Sequence, residues 1–278
     1  MTSAIVFTDL DGTLLDHSSY SYEEALPALD ALKQLNIPLI LASSKTAAEL
    51  LSLRSELGFE NCPAIVENGA GVLSASSQKA SDIGADDYNR LISIISSAPS
   101  SLRCHYNGFN DWTIDQISQI TNLSKDQAIL ASQRQFSEPG LWTGEETAKQ
   151  DFIYYLTEHG VHTRYGGRFM TLSFGATKGQ RVSEITKQFG SQTKTLSLGD
   201  APNDIEMLEN TDFGVIINNH HGNDIPPLAG EATNRISRTT KQGPAGWNDA
   251  VLNFISSQLG FTPQSRPSQN NKSEKDIG

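Results

Sequence analysis

Residues 4–16 read AIVFTDLDGTLLD, a short apolar run followed at once by an acidic motif. The run Ala4–Thr8 is rich in strand-forming residues and predicts a buried β-strand. In open α/β sheets, ligands bind at the carboxyl ends of the strands. We therefore expect Asp9 and Asp11 to face a ligand-binding crevice.

These two carboxylates suit phosphoryl chemistry. Asp9 is ionised at neutral pH, so it needs no base to attack phosphorus and form an aspartyl-phosphate. Asp11, two residues later, is placed to protonate the leaving oxygen and then to deprotonate the attacking water. Gly12 permits the sharp turn that brings the two groups together.

Strand and helix patterns alternate on either side of the insertion described below. Ser21-x-x-Glu24 predicts a capping box before a helix starting near Leu26, and a second helix is predicted from about Thr46. The predicted strands are Ala4–Thr8, Ile37–Ala42, Pro63–Val66, Met170–Phe174, Thr195–Leu198 and Phe213–Ile217, and Thr177 is predicted to cap a further helix. This alternation is typical of an α/β fold with a Rossmann-like parallel sheet.

The stretch from about Ile83 to Arg168 has a different pattern, with predicted helices at Asp86–Ser96, Ser124–Arg134 and Glu145–His159. We interpret it as an α+β cap domain inserted into the α/β core. The expected organisation is a catalytic core at 1–82 and 169–262, a substrate-selecting cap at 83–168, and a disordered tail at 263–278.

A second acidic motif, Gly199-Asp200-Ala201-Pro202-Asn203-Asp204, follows another apolar strand. Mg²⁺ prefers hard oxygen ligands. The carboxylates of Asp9 and Asp200, with the backbone carbonyl of Asp11, are predicted to bind it. Asn203 and Asp204 are predicted to lie around these ligands, where Asp204 holds water molecules or orients a lysine.

Two further segments are candidates for binding phosphate. Ser43 and Ser44 follow the second strand and precede a helix, where hydroxyls and free amides form a natural phosphate cradle, although a plain helix cap is the alternative. Lys178 begins a helix, against the usual preference of cations for the other end, which indicates a functional role beside the phosphoryl group.

Composition narrows the class of protein. The net charge of −11 disfavours nucleic acid as a partner, while one basic site still permits a phosphorylated metabolite. Cys62 and Cys104 form no CxxC pair and are interpreted as reduced thiols. No apolar run approaches the roughly 20 residues that span a bilayer. We therefore expect a cytoplasmic protein that acts on small molecules.

Four elements occur in a fixed order along the chain: the Asp9 motif, the Ser43 segment, Lys178 and the Asp200 motif. In this order they resemble the haloacid dehalogenase superfamily, and the position of the insertion resembles its members with a C2-type cap. Within it, the chain is similar to the mannosyl-3-phosphoglycerate phosphatase family. The runs that carry this resemblance are DLDGTLLD, LASSKT, IVENGA, RQFSEP, GGRF, TKG, GDAPND and GPAGW.

This resemblance implies Asp9 as nucleophile, Asp11 as acid/base, Ser43 and Lys178 on the phosphate, and Mg²⁺ on Asp200. It also implies that four cap residues face a glycosyl-phosphoglycerate: Arg134, Ser137, Glu138 and Arg168. Ordinary surface ion pairing is the alternative for the two arginines.

The activity implied is removal of phosphate from mannosyl-3-phosphoglycerate to leave mannosylglycerate, a compatible solute. Glucosyl-3-phosphoglycerate or another sugar phosphate is the nearest alternative substrate. A phosphomutase and a non-catalytic sugar-phosphate sensor are rival functions. The mutase would release no free phosphate, and a sensor should lack one of the four elements, which this chain does not.

Overall fold

The structure is a computed structural model that describes residues 4–75, 77, 79, 86–166, 168–221 and 224–261. The predicted tail at 263–278 and the predicted boundary at 82/83 lie outside these residues. Among the described residues, no helix combines the length and the apolar character needed to cross a membrane.

The described residues form eleven strands. In chain order they are β1 (Ala4–Thr8), β2 (Leu39–Ala42), β3 (Ala64–Val66), β4 (Gly71–Leu73), β5 (Tyr106–Gly108), β6 (Ser137–Trp142), β7 (His162–Gly166), β8 (Phe169–Ser173), β9 (Lys194–Gly199), β10 (Phe213–Asn218) and β11 (Ile236–Gln242).

Ten α-helices accompany these strands in the same described ranges. They are α1 (Leu26–Gln34), α2 (Ala47–Glu56), α3 (Asp86–Ser96), α4 (Ser100–Arg103), α5 (Ile114–Thr121), α6 (Lys125–Ala131), α7 (Glu146–Glu158), α8 (Lys178–Thr186), α9 (Ile205–Glu209) and α10 (Gly243–Leu259).

Seven strands form one sheet in the order β11-β10-β9-β1-β2-β3-β4. All its pairings are parallel except that between β3 and β4. All five residues of β1 are buried, as expected for a central strand covered on both faces. The predicted α/β fold with a Rossmann-like core is confirmed.

The remaining four strands form a separate antiparallel sheet, the cap sheet, in the order β5-β6-β8-β7. Helices α3 and α7 contribute to the buried cluster beside it, through residues such as Leu91 and Phe152. A separate cap region with its own sheet is therefore confirmed.

The assignment of β8 to the catalytic core was wrong. This strand pairs with β6 and β7 in the cap sheet, and Gly166 lies opposite Phe169. Its burial alternates over its first residues, as in a sheet with one covered face. The predicted boundary at 168/169 would separate the paired strands β7 and β8. We propose that the second junction follows β8, between Ser173 and Lys178.

Local capping was predicted with mixed success. The cap predicted at Thr177 is confirmed as a reciprocal capping box, and Thr46 and Ser124 form two further boxes at the starts of α2 and α6. The box predicted at Ser21 is wrong, because a 3₁₀ turn at Glu23–Ala25 precedes α1 and no side chain caps it.

Candidate active site

The predicted nucleophile lies where strand β1 ends, in the centre of the main sheet. Asp9 is 8% exposed, and its backbone N–H donates to the Leu198 carbonyl of neighbouring β9 at 2.9 Å. The first strand and the strand that precedes Asp200 are therefore in register at the site. This arrangement follows from parallel pairing, which brings carboxyl ends to one edge.

Three buried carboxylates meet at this edge. Asp9, Asp200 and Asp204 each offer an oxygen within 4.8 Å of the others. Burial raises the pKa of Asp9 well above its usual range and also raises that of Asp200. Such a crowded group of acids fits a divalent cation, which would favour the ionised carboxylates.

Neutral donors hold Asp200 in place. Its Oδ1 accepts from Thr13 Oγ1 at 2.6 Å, and its Oδ2 accepts from Asn219 Nδ2 at 2.7 Å. Gly12 (φ +86°) is required beside them, because a Cβ there would lie 2.4 Å from Asn219 Nδ2. Sequence reasoning missed Thr13 as a partner of Asp200 and missed Asn219 altogether, since it lies after a later strand, outside any recognised motif.

Lys178 joins two of the acids. Its Nζ donates to Asp9 Oδ1 at 2.6 Å and to Asp204 Oδ1 at 2.7 Å, and the residue is 2% exposed. Burial alone would lower the pKa of Lys178, but Asp204 and Asp9 outweigh that effect and raise it. The structure thus places the Lys178 ammonium group beside the predicted nucleophile.

Asp204 also shapes the acidic loop. Its Oδ2 accepts the backbone N–H groups of Asp200 at 3.1 Å and Ala201 at 3.2 Å. Asn203 is exposed and donates to Asn68 Oδ1 at 3.1 Å. In this structure Asp204 orients both Lys178 and its own loop, whereas Asn203 contacts a different turn.

Asp11 pairs with Lys45, whereas Asp9 and Asp204 pair with Lys178. Asp11 Oδ2 is 3.0 Å from Lys45 Nζ, and the buried Oδ1 of Asp11 has no hydrogen-bond partner among the described residues. Lys45 also lies over the Tyr20 ring, with Nζ 5.4 Å from the centroid. We missed Lys45 because the SSKT run was interpreted through its hydroxyl groups.

Some hydrogen-bond donors of the predicted phosphate loop are already bonded to acceptors within the protein. Ser43 is 1% exposed and its Oγ accepts from Lys45 N at 3.2 Å, while Ser44 is exposed. The Thr46 N–H donates to Glu49 of the capping box at 2.8 Å. The backbone amides of residues 45 and 46 are therefore paired, and the predicted cradle of free amides does not extend to them.

The four cap candidates are not gathered in one place. Ser137 is the first residue of β6, and Arg134 precedes the strand; Arg134 Nη1 donates to the Ser44 carbonyl at 3.3 Å. Arg168 is exposed and donates to the Ile120 carbonyl in α5; no contact joins it to the described site residues.

Glu138 is buried among protein donors. It accepts from Tyr88 Oη at 2.7 Å and from Asn110 N at 2.8 Å, and burial raises its pKa to about 7. Both carboxylate oxygens thus accept hydrogen bonds from protein groups. Glu138 lies opposite Leu172 in the cap sheet, and Leu172 belongs to the buried cluster beside that sheet.

Two hydrogen bonds connect Trp247 to the backbone of Asp9 through Thr8. The indole Nε1 of Trp247, in α10, donates to Thr8 Oγ1 at 2.9 Å, and Thr8 Oγ1 donates to the Asp9 carbonyl at 2.7 Å. The GPAGW run formed part of the family resemblance, but sequence alone gave it no role.

Comparisons with known proteins identify the family and the fold of this chain. A family model described as haloacid dehalogenase-like hydrolase matches residues 6–224. The chain is similar to the structure of sucrose-phosphatase from Synechocystis sp. PCC6803 in complex with sucrose and phosphate. That match has 16% identity and a TM-score of 0.59, covering 91% of this chain and 98% of that one.

Two further solved structures are similar to this chain over nearly their whole length. A phosphatase of the HAD enzyme superfamily from Bacteroides thetaiotaomicron matches with 18% identity and a TM-score of 0.60, over 91% of this chain and 95% of that one. A sugar phosphatase of HAD subclass IIB matches with 17% identity and a TM-score of 0.57, over 92% and 99% of the two chains. At these identities the likeness shows a shared fold.

Proposed function

The chain belongs to the haloacid dehalogenase-like hydrolase family, and from that premise we propose that it is a Mg²⁺-dependent phosphatase acting through a phosphorylated Asp9. The observation that carries this proposal is the buried group of Asp9, Asp200 and Asp204 with Lys178 between two of its members. A carboxylate beside a fixed ammonium is equipped to attack an electron-rich phosphoryl group.

The first half-reaction transfers the phosphoryl group. An Asp9 carboxylate oxygen forms a bond to phosphorus while the bond from phosphorus to the leaving oxygen breaks, and Asp11 donates its proton to that oxygen. Lys178 balances the charge on the phosphoryl oxygens. A Mg²⁺ ion held by Asp9 and Asp200, with the Asp11 carbonyl, would neutralise charge on the transferring group.

The second half-reaction releases phosphate. Asp11 takes a proton from water as the water oxygen bonds to phosphorus, and the bond from phosphorus to Asp9 breaks. The products are inorganic phosphate and the original Asp9 carboxylate. Asp11 has regained its proton and can serve the next cycle.

For the substrate we propose mannosyl-3-phosphoglycerate, with glucosyl-3-phosphoglycerate or another sugar phosphate as the alternative. The cap runs RQFSEP and GGRF support this choice by resemblance. Similarity to a sucrose-phosphatase and to a sugar phosphatase supports the broader class of phosphorylated sugars.

A phosphate-release screen tests the proposal. It compares both phosphoglycerate glycosides with hexose phosphates, in Mg²⁺ and in EDTA. We expect Asp9→Asn to lose more than about a thousandfold in kcat, roughly 4 kcal/mol of barrier, because the nucleophile is gone. The matched control is Asp249→Asn, at an exposed residue whose carboxylate pairs with Lys241.

Three results would count against the proposal. Asp9→Asn within about tenfold of wild type would exclude the covalent route through this residue. Full activity in EDTA would exclude the metal. Phosphate moving within a hexose phosphate, with none released, would indicate a phosphomutase.

A further inference from the structure

The turn that follows β3 has an unusual backbone. Glu67 and Asn68 both have positive φ, +50° and +58°, and neither is glycine. Each such residue costs on the order of 1 kcal/mol and persists only where its surroundings hold it. This turn belongs to the IVENGA run, for which sequence analysis gave no role.

The backbone of the turn holds the predicted phosphate loop. The Glu67 N–H donates to the Lys45 carbonyl at 2.9 Å, and the Asn68 N–H donates to the Ser43 carbonyl at 2.9 Å. On its other side, Asn68 Oδ1 accepts from Asn203 of the acidic loop. Hydrogen bonds to two loops of the site, the Ser43–Lys45 loop and the acidic loop, therefore hold the turn in this unusual backbone conformation.

The turn also lies against the start of α8. A Cβ on Gly69 (φ +95°) would lie 2.1 Å from the carbonyl carbon of Thr177, so only glycine fits there. Thr177 directly precedes Lys178. Three consecutive residues, 67–69, thus contact three of the loops that form the candidate site.

The Glu67 carboxylate reaches a fourth element, the start of cap strand β6. Its Oε1 accepts from Gln135 N at 2.8 Å. Its Oε2 accepts from Phe136 N at 3.2 Å, and from Ser137 N and Ser137 Oγ at 2.7 Å each. The side chain is fully buried, and Arg134 Nε lies 3.4 Å from Oε2.

Arg134 closes this network. Its Nη2 donates to Ser137 Oγ at 2.7 Å and its Nη1 donates to the Ser44 carbonyl, while the residue is only 9% exposed. The Arg134 guanidinium therefore donates its hydrogen bonds to groups of the protein itself. Arg134 therefore bridges the cap and the phosphate loop, and its predicted contact with substrate stays a prediction.

We propose that Glu67 is a positioning residue that fixes the start of cap strand β6 against the Ser43–Lys45 loop, and so sets which phosphomonoesters the site accepts. Its carboxylate holds the cap side, and its backbone holds the phosphate side. The selectivity part of this inference rests on the proposed phosphatase function, whereas the mechanical coupling does not.

The test variant is Glu67→Gln, which keeps the shape and removes the charge. The control is Glu146→Gln, the same change at an exposed cap residue whose carboxylate accepts from Gln150 Nε2 at 2.7 Å and lies 3.5 Å from Lys149 Nζ. Amide hydrogen exchange is measured in both, together with kcat/KM for mannosyl-3-phosphoglycerate and for p-nitrophenyl phosphate.

We expect Glu67→Gln to speed exchange at the amides of residues 135–137 by about tenfold or more, since hydrogen bonds to a charged acceptor are lost. Exchange at the amides of Glu67 and Asn68, which bond the phosphate loop, should also rise. The ratio of kcat/KM for the glycoside to that for p-nitrophenyl phosphate should fall about tenfold. Glu146→Gln should change none of these.

Unchanged exchange at residues 135–137 would overturn the proposal, and so would exchange that rises there but not at residues 67–68. An equal loss of kcat/KM on both substrates would overturn the selectivity part. A wild-type protein inactive on every phosphomonoester would refute the phosphatase function, while the exchange data would still decide the coupling. If Glu67→Gln fails to fold, Ser137→Ala, which removes one donor to Glu67, must show the same changes at smaller size.

Discussion

Replacing Lys178 with methionine should sharply lower the melting temperature, because it leaves buried Asp9 and Asp204 side by side without a cation. The lysine bonds them at 2.6 and 2.7 Å, and its side chain is 1% exposed. Removing one partner from a buried ion pair costs roughly 3–5 kcal/mol. In a chain of this size that corresponds to a fall in Tm of roughly 6–20 °C.

Differential scanning calorimetry in EDTA at pH 7 measures this change. Lys149→Met is the matched control, because the Glu146 partner of that lysine is 70% exposed, so the expected cost is below about 1 kcal/mol. The double variant Lys178→Met with Asp204→Asn should recover part of the loss by removing one repelling charge. A Tm for Lys178→Met no lower than that of the control would refute the reasoning.

Two further predictions concern pH and metal. The pKa of Glu138 in the folded protein, about 7, exceeds its ordinary value of 4.5. The protonated form of Glu138 therefore stabilises the fold by roughly 3 kcal/mol, because the folded protein binds this proton more tightly than the unfolded chain does. This stabilisation is lost as the pH rises through about 7. Thermal unfolding of Glu138→Gln between pH 5 and 8 should therefore show a weaker loss of stability than wild type; parallel curves would contradict this. The proposed metal site predicts that Mg²⁺ raises the Tm of wild type by binding the folded acidic group, and that Asp200→Asn needs at least about tenfold more Mg²⁺ for the same rise. Equal responses of the two proteins would place the cation elsewhere.

The acidic site was predictable because its parts are local signals at the ends of parallel strands. Asp9 and Asp200 each follow an apolar run, and strand pairing then brings them to the same edge without further information. Lys178 followed from its unfavourable place at a helix start. The structure gathers all three with Asp204, as the sequence predicted, although their catalytic roles remain predictions.

The features that sequence reasoning missed depend on partners far along the chain. Glu67 meets Ser137 and Trp247 meets Thr8. Neither contact leaves a pattern of spacing or capping. For the same reason sequence reasoning did not find the hydrogen bonds from the Arg134 guanidinium to Ser44 and Ser137, and the contact of Arg134 with substrate stays a prediction. Strand β8 was misassigned because an apolar run predicts a strand but not its neighbours.

The central place of β1 has a consequence for how the protein is made. Its two neighbours are β2, close in sequence, and β9, where Ala4 pairs with Lys194, a separation of roughly 190 residues. At synthesis rates of about 5–20 residues per second, β1 waits roughly ten to forty seconds for that partner. Trp247, which holds Thr8, arrives later still. During this interval a largely apolar strand, fully buried in the folded protein, has one unpaired side, which favours association between nascent chains. We therefore expect ribosome-bound chains that end before β9 to depend on chaperones, and their first residues to be open to proteases.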